Sequence, residues 1–233
     1  MDLSGVFDNS GSVQGPTYAD LHREFQSAFS YRPEALPQDD LPDGRGHTVL
    51  VVPGLLTNDN FTTDLRTFLE GCNYRAEGWA LGVNWGPTPR LVGGLADRLA
   101  ELNEREGGPV SVVGVSMGGV LVRNLAHDFP DRIRRLATIC SPVRFPTASS
   151  LEPVVRLLSP FYAPDLSAAR YALPLPVPTM AVYTRDDGLI AWETCKGAES
   201  DCHEVEVEGG HVTICRNPQV QLAVADWLGR DLP

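Results

Sequence analysis

The feature that most constrains this fold is an apolar run that leads into a serine flanked by glycines and continues as a helix. Residues 110–113 are Val-Ser-Val-Val, which is typical of a central parallel strand because both faces of such a strand are covered. Residues 114–118, Gly-Val-Ser-Met-Gly, then match the G-x-S-x-G pattern. Residues 120–126 have helical spacing. The stretch predicts a sharp strand-to-helix turn that lifts the hydroxyl of Ser116 clear of the sheet.

The same pattern has a plainer interpretation, since glycines are common wherever a strand turns into a helix. An ordinary Gly-rich turn stays open on the sequence alone. A phosphate-binding loop of the Walker type is disfavoured, because the lysine that such a loop requires is missing after the second glycine.

Composition limits the classes of protein that this chain can represent. At 233 residues and 42% hydrophobic content, it suits one sizeable α/β domain. The 30 acidic and 19 basic residues give a net charge of −11, which would repel a nucleic acid backbone. No apolar run approaches the roughly 18–20 residues that cross a bilayer. Residues 1–5 have neither the basic start nor the apolar segment of a secretion signal, so we expect a cytoplasmic protein.

Strand and helix patterns alternate along most of the chain, which indicates a mostly parallel central sheet with helices on both faces. The segments predicted as strands are 48–52, 74–81, 110–113, 133–140, 179–184 and 205–207. The segments predicted as helices are 59–70, 91–102, 120–126, 151–158 and 219–228.

Two further segments lack this alternation. Residues 1–46 are rich in Gly, Ser, Pro and Asp around one helical patch at 18–25, and they predict an N-terminal arm packed on the domain of residues 47–233. Residues 143–178 contain many prolines and are too short for a core of their own, so they predict a small cap over the site. The arm aromatics Phe25, Phe29 and Tyr31 are expected to pack on the domain or to border the active site, and packing is favoured.

A serine hydroxyl is a weak nucleophile, and it needs a base within reach and an acid that holds the base in position. His211 follows the last predicted strand, whereas His47, His127 and His203 do not follow a strand end. Asp187 follows the strand before it. We therefore predict Ser116, Asp187 and His211 as catalytic residues at the carboxyl ends of parallel strands. Asp186 competes with Asp187 for the role of the acid, and spacing leaves that choice open.

An acyl-transfer site also needs donors for the oxyanion of the tetrahedral intermediate. The backbone N–H of Met117, directly after the serine, is one predicted donor, and that of Leu55 is the second. We expect Leu56, Phe145 and Leu189 to contact the substrate, although simple packing explains these apolar residues equally well.

The five cysteines are expected to be free thiols, with a Cys195–Cys202 disulfide as the alternative. Cys202, His203, His211 and Cys215 fall close together, but their spacing matches no standard zinc site, so no metal is predicted.

With these residues assembled, the sequence resembles the α/β-hydrolase superfamily, and more narrowly its compact bacterial esterase and lipase-like members. The resemblance covers about residues 46–230. It depends on the Pro53-Gly54 turn, on residues 78–87, on the glycine-flanked serine, on residues 187–190 and on Gly210-His211. Pro53 departs from the histidine that often precedes the oxyanion glycine.

The resemblance implies an α/β-hydrolase fold with a small cap insertion. It selects Asp187 over Asp186, because the family's acid commonly precedes one variable residue and two aliphatic ones. It also implies hydrolysis of a small-molecule or lipid ester through an acyl-enzyme, without a cofactor. Acyl transfer at the same site is the alternative, and a non-catalytic binding protein of the same fold is a weaker one. The sequence does not indicate the oligomeric state.

Overall fold

A sheet of six parallel strands forms the centre of the computed structural model, which describes residues 6–7, 10, 12–32, 41–163, 170 and 173–231. Its strands are β1 Thr48–Val52, β2 Arg75–Gly78, β3 Val110–Val115, β4 Ile133–Ile139, β5 Thr179–Tyr183 and β6 His203–Glu206. Their order across the sheet is β2-β1-β3-β4-β5-β6, and every neighbouring pair is parallel. The predicted parallel sheet is confirmed.

Helices connect these strands, as the alternating pattern predicted. They are α1 Tyr18–Ser30, α2 Thr63–Gly71, α3 Pro89–Glu106, α4 Met117–Asp128, α5 Glu152–Leu158 and α6 Pro218–Gly229. Short 3-10 helices span Asp59–Thr62, Pro130–Arg132, Ser159–Phe161, Trp192–Cys195 and Ile214–Arg216.

Helices cover both faces of the sheet, and successive side chains of a strand pack on opposite faces. On one face, Val49 and Val51 of β1 belong to the cluster that contains apolar residues of α2 and α6. On the other face, Leu50 and Val52 belong to the cluster that contains apolar residues of α3 and α4. All four β1 side chains are fully buried, which explains the continuous apolar run of this strand.

Strand β2 is shorter than predicted, since the sequence indicated residues 74–81 and the strand ends at Gly78. The next two backbone N–H groups, of Trp79 and Ala80, donate to the two carboxylate oxygens of Asp59 at 3.0 and 3.1 Å. A side chain from the 3-10 helix Asp59–Thr62 therefore takes the place of a neighbouring strand.

The helix predicted over 59–70 is divided into two kinds of helical turn. Residues Asp59–Thr62 form a 3-10 helix, whose start is capped by the side chain of Asn58, and α2 follows directly. The asparagine accepts the N–H of Asn60, which favours the tight first turn.

The segment from Val143 to Tyr162 is attached to the loop that follows β5. The Val143 and Arg144 N–H groups donate to the carbonyl of Thr194. The Thr147 and Thr194 hydroxyls are 2.8 Å apart. This part of the predicted cap is thus held beside the residues that follow Asp187. Residues 164–169, 171 and 172 of the predicted cap lie outside the described part.

A buried ion pair connects α4 to the end of the cap segment. Arg123 lies 2.6 Å from Glu199, and both side chains are almost completely buried. The same Glu199 oxygen accepts the N–H of Leu175 at 3.0 Å. The pair therefore fixes the chain that enters β5 against the helix that starts at the predicted nucleophile.

All five cysteines are free, so Cys195 and Cys202 are not joined by a disulfide. Across the described part of the chain, every helix is too short or too polar to cross a membrane.

Candidate active site

Ser116 lies at the sharp turn between β3 and α4. Its φ is +53° and its ψ is −124°, in the region that favours glycine, and such a backbone costs about 1–3 kcal/mol in a residue with a side chain. The turn is held from both sides. The Ser116 N–H donates to the carbonyl of Ile139 at 2.8 Å, and its own carbonyl accepts the N–H of Gly119. The predicted strained turn is therefore present, with the serine at its tip.

Gly114 allows this turn to close. A Cβ atom at this position would lie 2.5 Å from the carbonyl group of Gly118, at the start of α4. No side chain can occupy that space without moving the helix away from the strand, so the first glycine of the pattern is required by the close approach of β3 and α4.

Asp187 and His211 form a buried, directly bonded pair. The His211 Nδ1 lies 2.7 Å from the Asp187 Oδ2, and both side chains are almost fully buried. The other carboxylate oxygen accepts the N–H groups of Leu189 and Ile190 at 2.9 and 2.8 Å. Asp186, the competing acid, is exposed. The structure thus brings the preferred carboxylate, and not its neighbour, to the histidine.

The pKa of His211 is raised above its usual value of 6.5. Burial alone would lower this pKa, because it disfavours the charged imidazolium. The charge of Asp187 and its hydrogen bond, with a smaller contribution from the carboxylate of Glu24, outweigh that effect. The site therefore stabilises a protonated imidazole, which is the form that a base adopts after it accepts a proton.

Cys140, directly after β4, connects the serine turn to this pair. Ser116 donates its N–H to Ile139, the residue before Cys140. The Cys140 Sγ and ligand atoms of Asp187 and His211 all lie within 4.8 Å of one another. The three predicted catalytic residues therefore lie at the same edge of the sheet. Burial raises the pKa of the Cys140 thiol well above its usual value, so this cysteine is not a thiolate nucleophile.

The two predicted oxyanion donors belong to residues that lie close to the serine along the chain or across the loop after β1. Met117 is the first residue of α4, where helix geometry leaves the N–H without an intrahelical acceptor. Leu55 follows Gly54, at which a Cβ would lie 3.7 Å from the Ser116 Oγ. Within the described residues, neither N–H has a protein acceptor. A role of both N–H groups as oxyanion donors stays a prediction.

Asn84 holds the loop that carries the Leu55 N–H, a role that the sequence analysis missed. Its side-chain amide donates to the Pro53 carbonyl at 2.7 Å, and its backbone carbonyl accepts the Leu56 N–H at 2.7 Å. The Asn84 side chain is completely buried. Asn84 lies between Gly82 and Gly86, and in a sequence such a residue cannot be told from an ordinary turn asparagine.

A cavity of about 60 Å³ opens beside Ser116, and its walls are almost entirely apolar. The arm contributes Val6 and Phe7, the loop after β1 contributes Leu55, and the cap segment contributes Phe145 and Tyr162. The two arm residues were not predicted to lie here.

The three predicted substrate contacts have different positions. Phe145 lines the cavity. Leu56 is 43% exposed, and Leu189 is buried in a separate cluster with Tyr183 and Cys195. Cap residues Leu157 and Phe161 are also exposed. A role in substrate binding stays a prediction for Leu56, Phe145 and Leu189.

Among the described residues, Cys140, Asp187 and His211 are the one group of three or more potential metal ligands whose atoms converge. The four residues weighed as a zinc site, Cys202, His203, His211 and Cys215, do not form such a group.

Comparison with known proteins agrees with this architecture. A family model described as the alpha/beta hydrolase fold matches residues 102–167. A monoacylglycerol lipase from Paleococcus ferrophilus has a TM-score of 0.56 at 17% identity, over 81% of this chain and 95% of that one. This chain has the α/β-hydrolase fold.

Two further α/β-hydrolase-fold neighbours differ in the activities that their names describe. The pyrethroid hydrolase PytH has a TM-score of 0.54 at 15% identity, over 78% of this chain and 97% of that one. A thioesterase domain from the curacin biosynthetic pathway has a TM-score of 0.50 at 16% identity, over 81% and 91%. No curated protein sequence matches the chain. At these identities the likeness establishes the α/β-hydrolase fold alone.

Proposed function

We propose that this protein is a serine hydrolase that cleaves carboxylic esters, as a carboxylesterase or lipase, through an acyl-enzyme intermediate and without a cofactor. One observation carries the proposal: the buried Asp187–His211 pair lies at the same sheet edge as a strained serine turn that opens on an apolar cavity.

In the proposed reaction, His211 accepts the proton of the Ser116 hydroxyl as the oxygen attacks the ester carbonyl. Asp187 fixes the imidazole through Nδ1, which leaves Nε2 for the proton transfer. The leaving alcohol takes that proton. A water molecule activated by His211 then releases the acid and restores the serine.

The backbone N–H groups of Leu55 and Met117 would hold the oxyanion of each tetrahedral intermediate. Pro53 lacks the side chain that commonly supports this loop in the family that the sequence resembles. Asn84 supplies a support from another segment, through its bond to the Pro53 carbonyl.

We propose the same division of the chain as the sequence suggested: an arm of residues 1–46, a domain of residues 47–233 and a cap of residues 143–178. The cavity supports this division functionally, because each of the three parts contributes walls to it.

Acyl transfer is the second candidate function. Ser116 is only 6% exposed and the cavity walls are apolar, so the site limits access of water to an acyl-enzyme. Product analysis in the presence of a competing alcohol separates the two reactions, since a transferase would yield the new ester rather than the free acid.

The deciding experiment is hydrolysis of p-nitrophenyl esters from acetate to palmitate by the wild type, Ser116→Ala and the exposed control Ser30→Ala. We expect Ser116→Ala to lose about 10⁴-fold or more in kcat and Ser30→Ala to match the wild type. The cavity is small, at about 60 Å³, so we expect a preference for short acyl chains.

Full activity in Ser116→Ala would contradict the serine mechanism. A wild type that hydrolyses none of these esters and does not react with a fluorophosphonate probe would contradict the proposed function as a whole.

A further inference from the structure

Glu24, on the arm helix α1, is a buried carboxylate that forms no salt bridge with any described residue. The residue is 3% exposed, although it belongs to a helix whose other residues are exposed or half-buried. A buried carboxylate is unfavourable unless strong donors compensate for the water that it loses. Its environment therefore needs an explanation.

The donors come from the two loops that carry the proposed acid and base. One oxygen of Glu24 accepts the N–H of Gly188, directly after Asp187, at 3.1 Å. The other oxygen accepts the N–H of Val212, directly after His211, at 2.6 Å. A single carboxylate thus bridges the two loops at the positions next to the bonded pair.

Two glycines make this approach possible. A Cβ at Gly188 would lie 2.7 Å from the Asp20 carbonyl and 2.9 Å from the Glu24 Cβ. A Cβ at Gly210 would lie 2.5 Å from a Glu24 carboxylate oxygen. The loops therefore have no side chain at the points where the arm helix meets them, one next to Asp187 and one next to His211.

We propose that Glu24 is a positioning residue of the active site, which holds the Asp187 loop and the His211 loop at a fixed separation; this inference rests on the proposed function. The Glu24 side chain does not contact the reacting atoms. Its two hydrogen bonds set the distance and orientation at which the His211 imidazole meets the Asp187 carboxylate, and the imidazole must in turn face Ser116. The arm helix then helps to position the proposed catalytic acid and base.

The test is Glu24→Gln, which keeps the size of the side chain but leaves only one acceptor oxygen. The NH₂ group of the glutamine would face the N–H of either Gly188 or Val212, and the loop that carries this N–H would lose its hydrogen bond to the arm helix. We expect kcat to fall by about 10-fold to 100-fold while KM changes little, because misplaced catalytic groups slow the chemical step more than they weaken binding. The matched control is Gln26→Ala, an exposed position on the same helix, which should keep the wild-type kcat.

A spectroscopic measurement separates this inference from the proposed function. We expect the proton between His211 Nδ1 and Asp187 Oδ2 to give a low-field proton NMR signal, which Asp187→Asn would remove and so identify. We expect the signal to broaden or vanish in Glu24→Gln and to persist in Gln26→Ala. An unchanged signal with kcat within twofold of the wild type would overturn the inference and leave the proposed function intact. A lost signal in a protein whose wild type hydrolyses no ester would support the positioning role and reject the proposed function.

If Glu24→Gln does not fold, amide hydrogen exchange of the wild type provides the test. The N–H groups of Gly188 and Val212 should both be strongly protected, because a buried carboxylate accepts them. Rapid exchange of either amide would overturn the inference.

Discussion

The buried amide of Asn84 shows how one side chain determines the shape of a functional loop. The backbone and side chain of this residue bond to both ends of the Pro53–Leu56 segment, so the Leu55 N–H is aimed by contacts that come from outside the loop. Without the side chain, the Pro53 carbonyl would lose its donor in a place that water does not reach.

We therefore expect Asn84→Ala to lower kcat/KM by up to about 10²-fold, as the loss of an oxyanion donor does in related chemistry. Unfolding free energy should fall by about 1–3 kcal/mol, since a buried carbonyl is left unpaired. Ester kinetics and thermal unfolding check both effects. Asn60→Ala, at an exposed position, is the matched control. Equal kinetics in the two variants would show that Asn84 does not support the function of the Pro53–Leu56 loop.

The raised pKa of His211 makes a prediction about pH. The proposed base works only as the neutral imidazole, so kcat/KM should decline as pH falls through the pKa of the free enzyme. Because Asp187 and Glu24 outweigh the effect of burial, that inflection should lie above 6.5. A pH profile of ester hydrolysis measures it. An inflection below 6.5 would show that desolvation dominates instead.

At the scale of secondary-structure elements, the arm contributes one wall of the cavity beside Ser116 as well as helix α1. Phe7 is buried, forms a parallel bridge with Thr147 of the cap segment, and lies below the guanidinium of Arg156 at 5.4 Å. It thereby closes the cavity at the side where the arm meets the cap.

Shortening this side chain should enlarge the cavity without disturbing the proposed catalytic residues. We expect Phe7→Ala to move the optimal acyl chain of the p-nitrophenyl series to a longer ester. Phe29→Ala is the control, because Phe29 belongs to the same arm but is 87% exposed and does not pack on the domain as predicted. An unchanged chain-length profile in Phe7→Ala would mean that acyl groups bind elsewhere.

The sequence predicted the elements more completely than it predicted their long-range contacts. Apolar runs identified strands β1, β3 and β5, because a central parallel strand is covered on both faces, whereas the edge strands β2 and β6 contain polar and partly exposed residues. The leucine spacing of α3 identified a helix that is buried along one side. The early end of β2 was missed because its cause, the Asp59 carboxylate, lies 20 residues away. Local patterns contain no information about such distant partners.

In the candidate site too, the residues in local patterns could be predicted and those that depend on long-range contacts could not. Ser116, Asp187 and His211 could be proposed because each follows a strand and matches a local pattern, and their roles stay predictions. Glu24 could not be found, since a glutamate in a polar amphipathic helix is ordinarily solvated. Only the packing of α1 against two loops far along the chain makes that carboxylate buried.

For the whole molecule, the reactivity of the cysteine thiols measures how completely the folded protein buries its interior. All five are free, four are buried and Cys202 is half-buried. Burial raises the pKa of each thiol, which slows its reaction with thiol reagents.

We expect native protein to react slowly with a chromogenic disulfide reagent, with Cys202 first. Denatured protein kept without reductant should release five equivalents at once, in agreement with the five cysteines of the chain. Three equivalents would instead show that one pair, such as Cys195 and Cys202, had oxidised.

The bridge made by Glu24 also affects the order in which the protein is assembled during synthesis. Its two partners follow it by 164 and 188 residues. A 13-residue helix such as α1 is only marginally stable by itself, so we expect it to form stably only when those partners are present. A ribosome must therefore release nearly the whole chain before the first helix can dock. A translation product that stops short of Val212 lacks one of the two loops that bind Glu24, so we expect its first helix to dock only when the His211 loop has been made.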